Sequence, residues 1–397
     1  MAGQHSSAVS RRSFLQASTA ASAALALRIV TEPMLAYAEW PTYPRDAVLI
    51  NANENPLGPC SAACDAVTAI TPQGGRYLDH LTDELIKQYA QSVGVAEEQI
   101  RVYAGSSEPL HCTVMAFTSP KASYVTADPG YEAGMHAARN AEARVVKVPL
   151  TKTYAHDVRA MLAAAPDAGV FYVCTPNNPT GTLTSHSDIE YLVDNKPKWS
   201  IVLVDEAYIH FSDAPSAVDL VKAGKDVIVL RTFSKLYGMA GLRCGVAMGR
   251  PDLLQKLESY GGFNPKPVTA VAAATASLKQ PNLVAERKRI NAEVRAATFE
   301  WLDRNGYSYI PSVSNCFMLD TKRPAKQVIA AMAQQKVIIG RNWPAMPTYT
   351  RITIGTREEM DRFQIAFQKV MNGTAVGWLL LDEEPKLRSI DGFVLPA

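Results

Sequence analysis

The chain has 397 residues, 47% of them hydrophobic and 20% charged, with a formal net charge of +2. This is globular composition on a length that suits two domains, and without a Lys/Arg-rich tract it excludes an electrostatic nucleic-acid binder. Six scattered cysteines without a CxxC pair speak against a zinc site, so no metal is expected.

Residues 1–38 read as an export signal. Ser10-Arg11-Arg12-Ser13-Phe14-Leu15-Gln16 is a twin-arginine pattern, Ala17 to Leu27 is alanine-rich, and Ala36-Tyr37-Ala38 offers a cleavage site before Glu39. The expected partner is the twin-arginine export machinery and the expected location the periplasm. Residues 39–70 form an N-terminal arm in which Val48-Leu49-Ile50 leads into the turn-rich Asn51 to Pro56. Cys60 and Cys64 could pair after export.

Residues 71–262 read as a large α/β domain. Its strand candidates are Ser123–Thr126, Arg144–Val148, Val170–Cys174, Ile201–Val204 and Val227–Leu230, each short, rich in Val, Ile or Tyr, and bounded by turn residues. Helical stretches between them imply a mainly parallel sheet sandwiched by helices. A hinge is expected at Gly261–Pro267, then a long helical stretch from Ala270 to about Asn305. Residues 263–373 form a smaller α/β domain with strands near Cys316, Val337 and Arg351, and 374–397 a tail of unassigned role.

Parallel sheets bind ligands beyond the carboxyl ends of their strands, and the polar clusters fall there. Asn178 follows one strand, Asp205 and Tyr208 the next, and Thr232, Ser234 and Lys235 the third. A lysine at a buried strand end can lose its charge and attack a carbonyl, and Arg243 can grip a phosphate. That combination points to pyridoxal phosphate held as a Schiff base. Asp205 would pair a pyridinium nitrogen, with Asn178 and Tyr208 on the ring's phenolic oxygen. Gly105-Ser106-Ser107 opens a helix from Pro109 to Phe117 and can present backbone N–H groups to a phosphate. Tyr131 can stack on a planar ring. Arg341 and Arg351 are candidates for a substrate anion, and Trp343 and Tyr349 for the wall of a substrate pocket.

Taken in order, Asn53-Glu54-Asn55-Pro56, Arg76-Tyr77-Leu78-Asp79, Thr175 to Gly181, Val204 to Tyr208, Thr232-Phe233-Ser234-Lys235 and Arg351 to Glu359 resemble fold-type I pyridoxal-phosphate aminotransferases of class I/II, especially the histidinol-phosphate aminotransferase branch. The resemblance implies that Lys235, Asp205 and Tyr208 are catalytic. Ser106, Ser107, Thr232, Ser234 and Arg243 would line the phosphate cup, with Tyr77 contributed by the other subunit of a homodimer. Asn55, Arg341 and Arg351 would meet substrate. The expected reaction moves an amino group from histidinol phosphate, or a related imidazole or aromatic amino compound, to a 2-oxo acid such as 2-oxoglutarate. A decarboxylase or lyase of the same fold, and a non-catalytic binding scaffold, are the alternatives. The proline-rich loop between Arg341 and Arg351 is short for that branch, and export is foreign to histidine biosynthesis. Both features favour an unphosphorylated donor.

Overall fold

The computed structural model describes residues 43–261 and 266–373. The export signal, the 374–397 tail and the centre of the expected hinge lie outside the described residues. Contacts divide the chain at Asp46, and all elements below belong to the unit from Ala47 onward. In chain order the strands are β1 (Val48–Ile50), β2 (Ile100–Tyr103), β3 (Ser123–Asp128), β4 (Val145–Pro149), β5 (Ala168–Cys174), β6 (Ile201–Asp205), β7 (Val227–Thr232), β8 (Gly245–Gly249), β9 (Ser308–Ile310), β10 (Cys316–Asp320), β11 (Val337–Ile339) and β12 (Tyr349–Thr353).

Seven strands form the central sheet in the order β2-β8-β7-β6-β5-β3-β4, parallel except for β8. Strand alternation sends side chains to two separate cores. Phe171, Val173, Val202, Val204, Val227 and Val229 pack against helices Ser61–Ile70, His80–Val93 and Val268–Leu278. Val170, Tyr172, Leu203, Ile228 and Leu230 face helices Ser107–Phe117, Ala133–Asn140 and Pro251–Glu258. Continuous burial on both faces is why these strands read as unbroken apolar runs. Each such side chain removed from water contributes roughly 1.5–3 kcal/mol before entropy is counted.

A three-stranded antiparallel sheet, β12-β10-β9, and the parallel pair β1-β11 make a second layer with helices Leu283–Arg304, Ala325–Gln334 and Arg357–Met371. Thr356 caps the last of these in a reciprocal box with Glu359. The long helical stretch expected from Ala270 is two helices. It breaks after Leu278 and resumes at Leu283, because Pro281 lacks an N–H and restricts the residue before it. The phosphate-side helix starts at Ser107 rather than Pro109. β2 and β8 were not among the expected strands. Cys60 and Cys64 are free thiols, Cys60 beside Ser277 and Cys64 facing the Pro59 carbonyl. Among the described residues no helix is long and apolar enough to cross a membrane.

Candidate active site

The topology brings the polar clusters to one rim. β5, β6 and β7 run parallel and end at Cys174, Asp205 and Thr232. β8 runs the other way, so its first residue, Gly245, pairs with Thr232 on one side and with Tyr103, the end of β2, on the other. The segment before β8 carries Arg243 and the segment after β2 carries Gly105, Ser106 and Ser107. Two antiparallel pairings therefore place residues distant in sequence around one cup.

In that cup, Arg243 Nη1 donates to Ser234 Oγ at 3.3 Å, and Nη2 donates to the Ala104 carbonyl at 3.2 Å. Thr232 Oγ1 accepts from the Ser234 amide and donates to Ser234 Oγ, which fixes the turn leading to Lys235. Ser106 precedes helix Ser107–Phe117 without a side-chain cap, so its hydroxyl does not occupy the helix's first N–H groups, which can serve an anion. Gly105 has φ +92, and a Cβ there would collide with the Arg243 guanidinium. A cradle lined by hydroxyls, a guanidinium and a helix N-terminus, and kept open by glycine, fits a phosphate.

Asp205 lies next to the cup, on the sheet face shared with Thr232. It is buried, and among the described residues no cation forms an ion pair with it. Tyr172 Oη donates to Asp205 Oδ2 at 2.8 Å and the Ala207 amide donates to Oδ1 at 3.0 Å. Burial pushes the Asp205 carboxyl up, and the Tyr172 and Ala207 donors oppose that shift. A buried carboxylate held ready without a cationic partner fits a protonated ring nitrogen.

Lys235 Nζ donates to the Ala52 carbonyl at 3.3 Å and lies 5.7 Å from the centre of the Tyr208 ring. The side chain keeps some solvent contact at the rim although protein surrounds it densely. Burial, then the positive charge of Arg351, pushes its ammonium down to about 8. A fraction of it is therefore neutral near neutral pH, as a nucleophile and proton carrier requires.

The remaining candidates divide. Asn178 Oδ1 accepts from Arg351 Nη1 at 2.8 Å, and Arg351 Nη2 donates to the Asn51 carbonyl at 2.7 Å. Arg351 is buried, and its Nε has no partner among the described residues. Tyr208 Oη accepts from Asn53 Nδ2 at 2.9 Å. These groups join the same cleft. Asn55 is committed elsewhere, donating to the Leu236 carbonyl and accepting from the Leu57 amide, so it braces the arm. Tyr131 is half-buried against the core on the Tyr172 side of the sheet. Tyr77 is 75% exposed and makes none of the cup's hydrogen bonds described above. Arg341 lies beside Arg351 because their backbones pair, Arg351 N donating to Arg341 O at 3.1 Å.

Trp343 does not line a pocket. It is 2% exposed, its indole N–H donates to the Gly130 carbonyl at 3.0 Å, and the Arg341 guanidinium covers its ring. Tyr172, Asn53 and Glu132, which pairs with Arg341, are site neighbours that sequence reasoning did not assign. Tyr172 and Asp205 point to the same face of adjacent paired strands, a signal available once β5 and β6 are aligned.

A lysine, an unpaired buried aspartate and a phosphate cradle at the carboxyl rim of such a sheet define a pyridoxal-phosphate enzyme of fold type I. The chain belongs to the class I and II aminotransferases, whose family profile matches residues 45–366. It is 32% identical to a histidinol-phosphate aminotransferase of Moorella thermoacetica over 334 residues, 82% of this chain and 86% of that one. It is 33% identical to an aromatic amino acid aminotransferase of Cutibacterium acnes over 353 residues, 87% and 99% of the two chains. Its fold matches histidinol-phosphate aminotransferase from Sinorhizobium meliloti in complex with pyridoxal-5'-phosphate, with TM-score 0.74, 24% identity, and 82% and 91% of the chains covered. The protein is a pyridoxal-phosphate-dependent aminotransferase.

Proposed function

We propose that this aminotransferase takes its amino group from an imidazole-bearing or aromatic amino compound and passes it to a 2-oxo acid such as 2-oxoglutarate. The relatives support this donor class: one acts on histidinol phosphate by name and another on aromatic amino acids. The single observation that carries the reading is Lys235, with its ammonium pushed down, at the mouth between the phosphate cradle and Arg351.

Arg243, Ser106, Ser107, Thr232 and Ser234 would hold the cofactor's phosphate, and Asp205, oriented by Tyr172, would hold the ring nitrogen. When bound, pyridoxal phosphate supplies a ring that accepts the electron pair released at the donor's α-carbon. Lys235 Nζ, once free and neutral, accepts the proton from that carbon and returns it as general base and then acid. Asn178 and Tyr208 would position the ring's oxygen. Arg351 grips the carboxylate of the amino-acid or oxo-acid partner with its planar fork.

The active assembly is a homodimer in which Tyr77, too exposed to serve its own site, completes the neighbour's cup. The mature chain acts outside the cytoplasm, carried there by the twin-arginine route on the pattern Ser10–Gln16.

The test is stoichiometry. Loaded enzyme with donor and 2-oxoglutarate should form one glutamate per donor consumed. Carbon dioxide release without oxo-acid consumption would replace this reading by a decarboxylase.

A further inference from the structure

Building on the aminotransferase reading above, we infer that Glu132 is a specificity-determining residue that selects donors with an uncharged or cationic, hydrogen-bond-donating ring side chain, such as an imidazole, and rejects a phosphomonoester. Glu132 precedes helix Ala133–Asn140, directly after Tyr131. Its Oε2 accepts from Arg341 Nη2 at 2.5 Å. The pair is clamped from both sides. Arg341 is joined by its backbone to Arg351, and its guanidinium lies 4.7 Å from the Trp343 ring centre. Trp343 donates to the carbonyl of Gly130, in the segment that carries Glu132.

Arg341 stands where a distal substrate anion would seek a cation, beside the carboxylate-binding Arg351. Its charge is already met by a carboxylate that belongs to the protein. The two side chains are 35% and 30% exposed, so they face an opening rather than the core. Glu132 Oε1 accepts from no described residue. A ring N–H or hydroxyl can donate to that oxygen without disturbing the ion pair. A phosphate would have to displace Glu132 or lie against it, like charge to like charge.

The experiment compares histidinol with histidinol phosphate on the cofactor-loaded dimer, wild type and Glu132→Gln. The wild type should favour histidinol in kcat/KM by at least about tenfold. Glu132→Gln should erase that preference, mainly by a gain for the phosphorylated donor as Arg341 is released. Titration calorimetry on Lys235→Ala, with and without Glu132→Gln, reads the same preference in Kd without turnover. Calorimetry that keeps the preference while neither donor reacts in the wild type would sink the aminotransferase reading and retain the Glu132 assignment. A wild type that favours histidinol phosphate, or a ratio that moves less than about twofold in Glu132→Gln by both readouts, would overturn the assignment.

Discussion

Lys235→Met isolates the cost of keeping an ammonium in this cleft. The side chain is held below its ordinary value of 10.5, at about 8, chiefly by burial and secondarily by Arg351. That fall corresponds to about 3 kcal/mol disfavouring the charged form. Solvent contact at the rim screens part of it, and methionine forfeits the bond to the Ala52 carbonyl, worth about 1 kcal/mol. The cofactor-free variant should therefore exceed the cofactor-free wild type by roughly 1–2 kcal/mol at pH 7. The sign follows from proton binding. Between about pH 8 and 10.5 the unfolded chain holds a proton that the native lysine has released, so wild-type stability rises with pH across that window. The advantage of methionine should shrink and vanish by about pH 10.5. Urea denaturation of both proteins at fixed concentration, at pH 7 and pH 10, measures it. A variant less stable at pH 7, or a difference independent of pH, would refute the electrostatic argument.

Gly105→Ala should weaken cofactor binding by roughly tenfold or more, because the added methyl enters the Arg243 guanidinium at a φ of +92; equilibrium dialysis gives the Kd, and an unchanged value removes the cradle. Hybrid dimers of Tyr77→Ala with Lys235→Ala should carry one site of wild-type KM, since one site receives both lesions and the other none. No recovery over either parent homodimer would place Tyr77 in its own subunit's site or outside the mechanism. His156 is buried, and burial pushes its imidazole down from 6.5 to about 4. The unfolded chain binds that proton first as pH falls, so stability should drop by up to about 3 kcal/mol between about pH 6.5 and 4. Urea midpoints at pH 7 and 4.5 for wild type and His156→Gln check this, and equal slopes count against it.

The sheet was legible where its strands are buried on both faces. Val170–Cys174 and Val227–Leu230 are unbroken apolar runs, and the polar residues that follow them mark the rim in the sequence itself. β8 was not legible, because Gly245, Ala247 and Gly249 leave too few branched side chains to announce a strand. Yet β8 is what joins Arg243 to the Ser106 turn. Lys235, Asp205 and Arg243 could be read from motif spacing, whereas their supports could not. Asn53 meets Tyr208, Tyr172 meets Asp205, and Glu132 meets Arg341 only through tertiary pairing. Trp343 shows the same limit, since its place in the proline-rich loop suggested a pocket wall, whereas it is buried with its indole bonded to the Gly130 carbonyl and two arginines over its ring.

The most direct test follows the visible absorbance of the loaded mature enzyme as an imidazole or aromatic amino donor is added with no 2-oxo acid present. The cofactor band should convert in the wild type, return on adding 2-oxoglutarate, and fail to convert in Lys235→Ala. Conversion and return at wild-type rate in Lys235→Ala would contradict the role given to Lys235 and with it the site as described.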